Sequence, residues 1–192
     1  MLYKGELIHP PEELSYYILH KPMGYLSSAE DPHHRRTIYL LTKDIPERVF
    51  HVGRLDKDSE GLLLLTNDGK LGHRLLHPKY QVPKEYYVEV NGFLSDEAIE
   101  KLVSGVELEE GRTNPSEIDL IDRSEKTSQF NIVLHQGWKR QIRRMTESIG
   151  LEVTYLRRDT FGPLGLKGLP LGEWRKLSTI DINRLKREVN LP

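Results

Sequence analysis

Four consecutive leucines, Leu62-Leu63-Leu64-Leu65, run into Thr66 and stop at Asn67-Asp68-Gly69. Side chains along a strand alternate between its two faces, so a short run that is apolar at every position and bounded by turn formers describes a strand with no side left for water. Such a strand has to lie inside a sheet that is covered on both faces. The run is also the longest purely apolar stretch in the chain, and it is far too short to cross a bilayer, which takes about 20 residues. With 192 residues, 37% of them hydrophobic, there is material for one sizeable core or for two small lobes sharing one.

The rest of the pattern supplies neighbours for that strand. Residues 1–15, with Pro10-Pro11 and scattered charge, show no periodicity and are expected to form a loosely packed leader ahead of one compact unit over 16–192. Tyr16-Tyr17-Ile18-Leu19-His20 reads as a strand halted by Lys21-Pro22-Met23-Gly24, and a polar loop with His33-His34-Arg35-Arg36 follows. Further strands are expected at 49–52, 86–90 and 153–157, and where Ile118 and Leu120, then Phe130, Ile132 and Leu134, alternate with polar residues. Ser95 caps a helix with Asp96 and Glu97 in its first turn and Ile99, Leu102 and Val103 on its buried stripe. A second helix is expected over 138–149, with Trp138, Ile142, Met145 and Ile149 on one face and Arg140, Arg143 and Arg144 on the other. After a glycine- and proline-rich run over 162–172, Thr179 caps a last helix with Ile182, Leu185 and Val189 inward. The fold class is therefore α+β, a long mixed sheet, mainly antiparallel, with few flanking helices.

A formal net charge of −1 argues against a nucleic-acid partner only until it is divided along the chain. Residues 91–133 carry 4 basic and 10 acidic side chains, whereas residues 134–192 carry 12 basic and 6 acidic. A basic third of that size can form the footprint of a phosphate backbone, although solvated helix faces give the same count. The chain has no cysteine, which excludes disulfides and thiolate metal sites. No basic segment followed by an apolar one opens the sequence, so a soluble, cytoplasmic protein is expected.

Three clusters could carry chemistry. In Val52-Gly53-Arg54-Leu55-Asp56, an aspartate in a loop before a buried strand is either a turn residue bonding nearby amides or a placed carboxylate. The crowded arginines after Gly137 repel one another by a few tenths of a kcal/mol and call for a negative partner. Glu147 on the same face could supply it; alternatively one arginine faces a buried carboxylate, lowering its pKa by ~1–3 units, while the others meet phosphates. In Lys84-Glu85-Tyr86-Tyr87, a ring beside a cation suits stacking on an unpaired base, worth ~1–3 kcal/mol, unless the tyrosines merely pack. His73 and His77 stand four apart without a third ligand, and neither a Gly-x-Ser-x-Gly elbow nor a phosphate loop is present, so no metal and no cofactor are expected.

Taken in order, these segments closely resemble the RsuA-like ribosomal RNA pseudouridine synthases. The resemblance is carried by Ile18-Leu19-His20-Lys21-Pro22-Met23-Gly24, by the Asp56 segment through Gly61-Leu62-Leu63-Leu64-Leu65-Thr66-Asn67-Asp68-Gly69, by Lys84-Glu85-Tyr86-Tyr87-Val88, by Arg140-Gln141-Ile142-Arg143-Arg144-Met145 and by the closing run from Leu156-Arg157-Arg158 to Trp174-Arg175-Lys176-Leu177. It implies a pseudouridine synthase domain with a catalytic cleft across a mixed sheet and Asp56 as the catalytic carboxylate. It further implies that Tyr86 stacks on the target uracil, that Arg143 pairs with Asp56, that Arg54 helps hold the nucleotide and that Leu156 packs on the other face of the base. Lys84, Lys139, Arg140, Arg144 and Arg158 are the expected RNA contacts.

The implied reaction breaks the bond from C1′ to N1, turns the base, joins C5 to C1′ and releases the C5 proton. It needs no cofactor. An ionised Asp56 could attack C1′ or remove the C2′ proton, and residue types leave both routes open. Relatives commonly have Arg or Lys and then Asn or another small or polar residue after this glycine, whereas Trp138 follows Gly137 here, and its place on the apolar stripe suggests packing. Many members begin with an S4-type RNA-binding module, whereas 15 residues precede Tyr16 here. The resemblance is thus to short members acting on large-subunit 23S ribosomal RNA, as monomers, with 16S or transfer RNA as the alternative substrate. Two other classes stay open: an inactive ribosomal RNA-binding assembly factor, and a glycoside or nucleoside hydrolase using Asp56 with Asp58 or Glu60.

Overall fold

The computed structural model describes residues 13–28 and 36–192, together with two short paired strands, β1 (Leu2–Tyr3) and β2 (Glu6–Leu7). Most of the expected leader, and residues 33–35 of the polar loop, lie outside the described residues. At the leader's end Ser15 is buried, and its Oγ donates to Glu47 at 2.9 Å.

The main elements follow as β3 (Tyr16–Lys21), β4 (Phe50–Val52), β5 (Glu60–Thr66), α1 (Gly69–Leu76), β6 (Lys84–Asn91), α2 (Asp96–Ser104), β7 (Glu107–Leu108), β8 (Gly111–Arg112), β9 (Glu117–Arg123), β10 (Thr127–Leu134), α3 (Gln141–Glu147), β11 (Val153–Arg158), β12 (Thr160–Phe161), β13 (Leu164–Gly165), β14 (Trp174–Lys176) and α4 (Thr179–Glu188). One eight-stranded sheet runs β14-β3-β5-β11-β6-β10-β9, with β4 paired to β5. Its pairings are antiparallel except that of β5 with β11. On one edge β5 meets β11 through Glu60 and Gly61 and β4 through 64–66, so the sheet forks there, and the loop 53–59 joins β4 to β5 at the fork.

The four leucines of β5 are fully buried and divide between two cores. Leu62 and Leu64 pack with Ile18, Leu71, Leu75 and Leu185, which places α1 and α4 on one face. Leu63 and Leu65 pack with Tyr17, Leu19, Ile38 and Leu55 on the other. A third cluster, around Val88, Phe130 and Leu156, takes Leu102 of α2 with Ile142 and Met145 of α3. Gly61 permits the β5–β11 approach: its φ is +126°, and a Cβ there would collide with the backbone of Arg158.

Several expectations are corrected locally. Asn67-Asp68-Gly69 is no free turn, because the Asp68 carboxylate accepts the Leu71 N–H at 2.9 Å and caps α1. The buried stripe of α2 narrows to Leu102, with Ile99 at its margin and Val103 exposed. The helix expected over 138–149 begins only at Gln141, since Arg140 is left-handed at φ +52° and breaks the periodicity. For α4 the cap is Ser178, in a reciprocal capping box with Asp181, rather than Thr179. Among the described residues no helix is long and apolar enough to cross a membrane.

Candidate active site

The 53–59 loop is held from beneath by a buried lysine. Pro22 restricts Lys21 to extended backbone, so β3 runs to its end with that side chain turned inward and fully buried. Its ammonium donates to the carbonyls of Ser59 at 2.7 Å, Asp56 at 2.9 Å and Pro22 at 3.1 Å. Burial pushes its pKa down to about 8, although the carboxylates of Asp56 and Asp58 pull the other way. Ser27 adds a second clamp, since its Oγ donates to the Leu55 carbonyl at 3.0 Å and accepts the Leu55 N–H at 3.2 Å. With Leu55 anchored in the core, Asp56 is left half-buried and Arg54 exposed.

The arginines divide their tasks differently from expectation. Arg143 is 7% exposed and donates to the carbonyls of Val153 at 3.1 Å and Asp58 at 2.9 Å, with Nη2 3.3 Å from Asp58 Oδ2. Its ion pair is with Asp58, not Asp56. Because α3 starts at Gln141, Arg143 turns under the loop, while left-handed Arg140 reaches over it, 3.1 Å from Asp58 Oδ2 and 3.9 Å from Asp56 Oδ2. Burial works against the Asp58 carboxylate, but the Arg140 hydrogen bond and the charges of Arg143 and Arg140 outweigh it and hold its pKa below the usual range. Arg144 makes a two-point pair with Glu110 at 2.6 and 2.8 Å, away from the loop. Asp58 and Glu110 therefore make the close pairs of the crowded arginines, and Glu147 adds only a weaker attraction for Arg144.

Above the fork opens a cleft of about 750 Å³. It brings together Asp56, Arg54, Tyr86 and Leu156, with Lys139 and Arg140 exposed around it. Arg143 and Arg144 do not line it. Lys84 and Arg158, expected to contact RNA, do line it, but as buried groups, 9% and 2% exposed. Trp138, expected to pack on a helix, instead lies ahead of α3 and lines the cleft. Sequence reasoning passed over Lys21 and Phe161; a lysine before proline at a strand end was the one available signal for Lys21.

Of the neighbouring carboxylates, Asp58 of the loop is committed to two arginines and Glu60 at the start of β5 lies 3.1 Å from His20. Asp56 has, among the described residues, one ion pair, the long one to Arg140, besides the attraction of the buried Lys21 ammonium. Among the described residues it is the one carboxylate that lines the cleft. His73 and His77 stand with ring centroids 5.7 Å apart, and among the described residues no group of three or more potential ligands could hold a metal.

The family model described as RNA pseudouridylate synthase matches residues 15–148. The chain belongs to the RNA pseudouridylate synthase family. This synthase is 42% identical over 177 residues to the ribosomal large subunit pseudouridine synthase B of Bacillus subtilis, covering 91% of this chain and 72% of that protein. It is 39% identical to the protein of the same name from Vibrio cholerae, over 93% of this chain and 55% of the relative. A crystal structure of a pseudouridylate synthase superposes with a TM-score of 0.83 at 31% identity, covering 91% of this chain and 74% of the other. The family's reaction is the isomerisation of uridine in RNA, and the mixed sheet with its central cleft is the pseudouridine synthase fold.

Proposed function

We propose that this synthase isomerises a uridine of large-subunit ribosomal RNA, with Asp56 acting at the ribose and Tyr86 stacking on the target base. The observation that carries the catalytic reading is that Asp56 is the carboxylate lining the cleft and has, among the described residues, no ion pair shorter than the 3.9 Å one to Arg140, on a loop whose position is fixed by Lys21 and Ser27. The large subunit is favoured by the names of the relatives. Leu156 would meet the second face of the ring, and Arg54, Lys139 and Arg140 would meet the chain around the cleft. The target has to be flipped from its stack, at a cost of a few kcal/mol that stacking and phosphate contacts offset.

The test is tritium release from ribosomal RNAs labelled at uridine C5. Large-subunit RNA is expected to release tritium, and Asp56→Asn to abolish release while binding the same RNA nearly as tightly. Release from small-subunit RNA alone would move the substrate assignment, and release from neither would sink it. Free uracil in place of pseudouridine on chromatography would favour the hydrolase reading, which the geometry disfavours because Asp58 is paired and Glu60 faces His20.

A further inference from the structure

Two buried cations on the floor of the cleft have no acidic partner among the described residues. Lys84 Nζ donates to the Val82 carbonyl at 2.8 Å, and Arg158 Nε to the Leu62 carbonyl at 2.8 Å. Arg158 Nη2 is buried with no hydrogen-bond partner. Lys84 stands two residues before Tyr86, and Arg158 is opposite Tyr86 in the β6–β11 register, so all three side chains share one face of the sheet. The ammonium and the guanidinium lie 5.5 and 5.3 Å from the centroid of the Phe161 ring. Nearby Asp159 is taken by Arg157. Two like charges held side by side out of water, with an orphaned donor between core and cleft, are an arrangement that a negative charge would relieve.

The depth of the site selects which part of a nucleotide supplies that charge. A phosphodiester continues into the chain on both sides and stays near the rim, whereas a flipped base is the one part free to reach the floor. Resting on the reading of Asp56 and Tyr86 above, we propose that Lys84 and Arg158 receive the uracil at the floor of the cleft and carry the negative charge that develops on it as the N1–C1′ bond breaks. The electron pair of that bond passes to the departing ring, delocalised over N1, O2 and O4, while C1′ bonds to a carboxylate oxygen of Asp56 or C2′ gives its proton to Asp56. C5 then bonds to C1′ as the Asp56–C1′ bond breaks or as the proton returns to C2′, the C5 proton leaves and N1 takes one up, so the product is an isomer of the substrate. Preorganised donors aimed at charge that exists only during reaction raise the rate without tightening binding. Burial, with Arg158 alongside, pushes the Lys84 pKa down to about 8, so its ammonium remains charged at neutral pH.

Single-turnover tritium release and RNA binding across a salt titration test this. Lys84→Met is expected to slow release about 10²-fold, as loss of one such donor does. RNA affinity should stay within about twofold, with the slope of log Kd against log salt unchanged. Arg158→Lys keeps the charge but removes Nη2, and about a tenfold loss of rate is expected on the same scale; it guards against a Lys84 variant that does not fold, judged by circular dichroism. With 5-fluorouridine at the target, whose base leaves as a more stable anion, the Lys84→Met deficit in glycosidic cleavage should shrink. Weaker RNA binding with a shallower salt slope would assign the pair to a phosphate and overturn the proposal. So would unchanged rates in both variants, or an equal deficit with 5-fluorouridine. Failure of the underlying reading shows separately, as an active Asp56→Asn or a wild-type protein that releases no tritium.

Discussion

Lys21 and Lys84 are lysines in places where lysine is costly, and their titration separates stability from activity. Each has its pKa pushed down to about 8 from 10.5. Between these values the unfolded chain holds protons that the native protein has released, so the unfolding free energy rises with pH from about 8. Tyr17, Tyr87 and Tyr155, pushed up to about 12 from 10.0 by burial and by neighbouring carboxylates, reverse that slope above about 10. Urea unfolding across this range should show the maximum near 10. Activity should run the other way, because Lys84 loses its charge above about 8; single-turnover rates should fall there in the wild type and lose that limb in Lys84→Met, while any limb owed to uridine itself persists. Lys21→Met tests the clamp. Losing three charge-assisted hydrogen bonds outweighs the relief of a buried charge, and a loss of about 2–4 kcal/mol by urea unfolding is expected. Burial was not legible in sequence: Lys21 before Pro22 at a strand end signals position only, and Lys84 near Tyr86 reads as an RNA contact at the surface until the sheet closes over it. The partner of Arg143 was equally hidden: Asp56 and Asp58 are two residues apart, and only the start of α3 decides which of them the arginine meets.

At the scale of elements, the strands and the Ser95 start of α2 were legible, and the start of α3 was not. The all-apolar run of β5 and the alternation of β9 and β10 follow directly from the period of two, and the structure places each. The 138–149 helix failed because Trp138 and Ile142 are four apart by coincidence: the chain between them passes through the left-handed region at Arg140, which no periodicity reveals. The four leucines could not show where the sheet forks, since that depends on Gly61. A Cβ at this residue meets Arg158 backbone rather than a yielding side chain, and the positive φ adds strain. Gly61→Ala is accordingly expected to destabilise by about 2–4 kcal/mol. Because Arg158 is displaced, its activity should fall further than that of an equally destabilised Leu185→Ala, whose cost of about 2–5 kcal/mol is one of packing α4 against the sheet. Denaturant midpoints paired with tritium release at a temperature where both variants are folded would decide it, and equal activities would count against the fork as the device that sets the cleft.

For the molecule as a whole, the division of charge along the chain is not the division of charge that RNA would meet. The basic last third includes Arg143, Arg157 and Arg158, which are buried or paired, and Arg144, which spends its charge on Glu110 of the acidic middle segment. What remains exposed at the cleft is a smaller set drawn from two distant stretches, Arg54 and Lys57 from the loop and Lys139 and Arg140 from the turn before α3. Counterion release counts only cations that reach phosphates, so the slope of log Kd against log salt reports this set and not the total. Arg54→Gln and Lys139→Gln should each lower the slope by about 1 and weaken binding to every RNA alike. Arg144→Gln, a larger change on a simple count of the basic helix, should leave slope and affinity unaltered and cost at most about 1 kcal/mol of stability through the lost pair. If instead Arg144→Gln lowers the slope as much as Lys139→Gln does, its pair with Glu110 opens in the complex, and the acidic segment becomes a competitor for the RNA-binding arginines rather than a bystander.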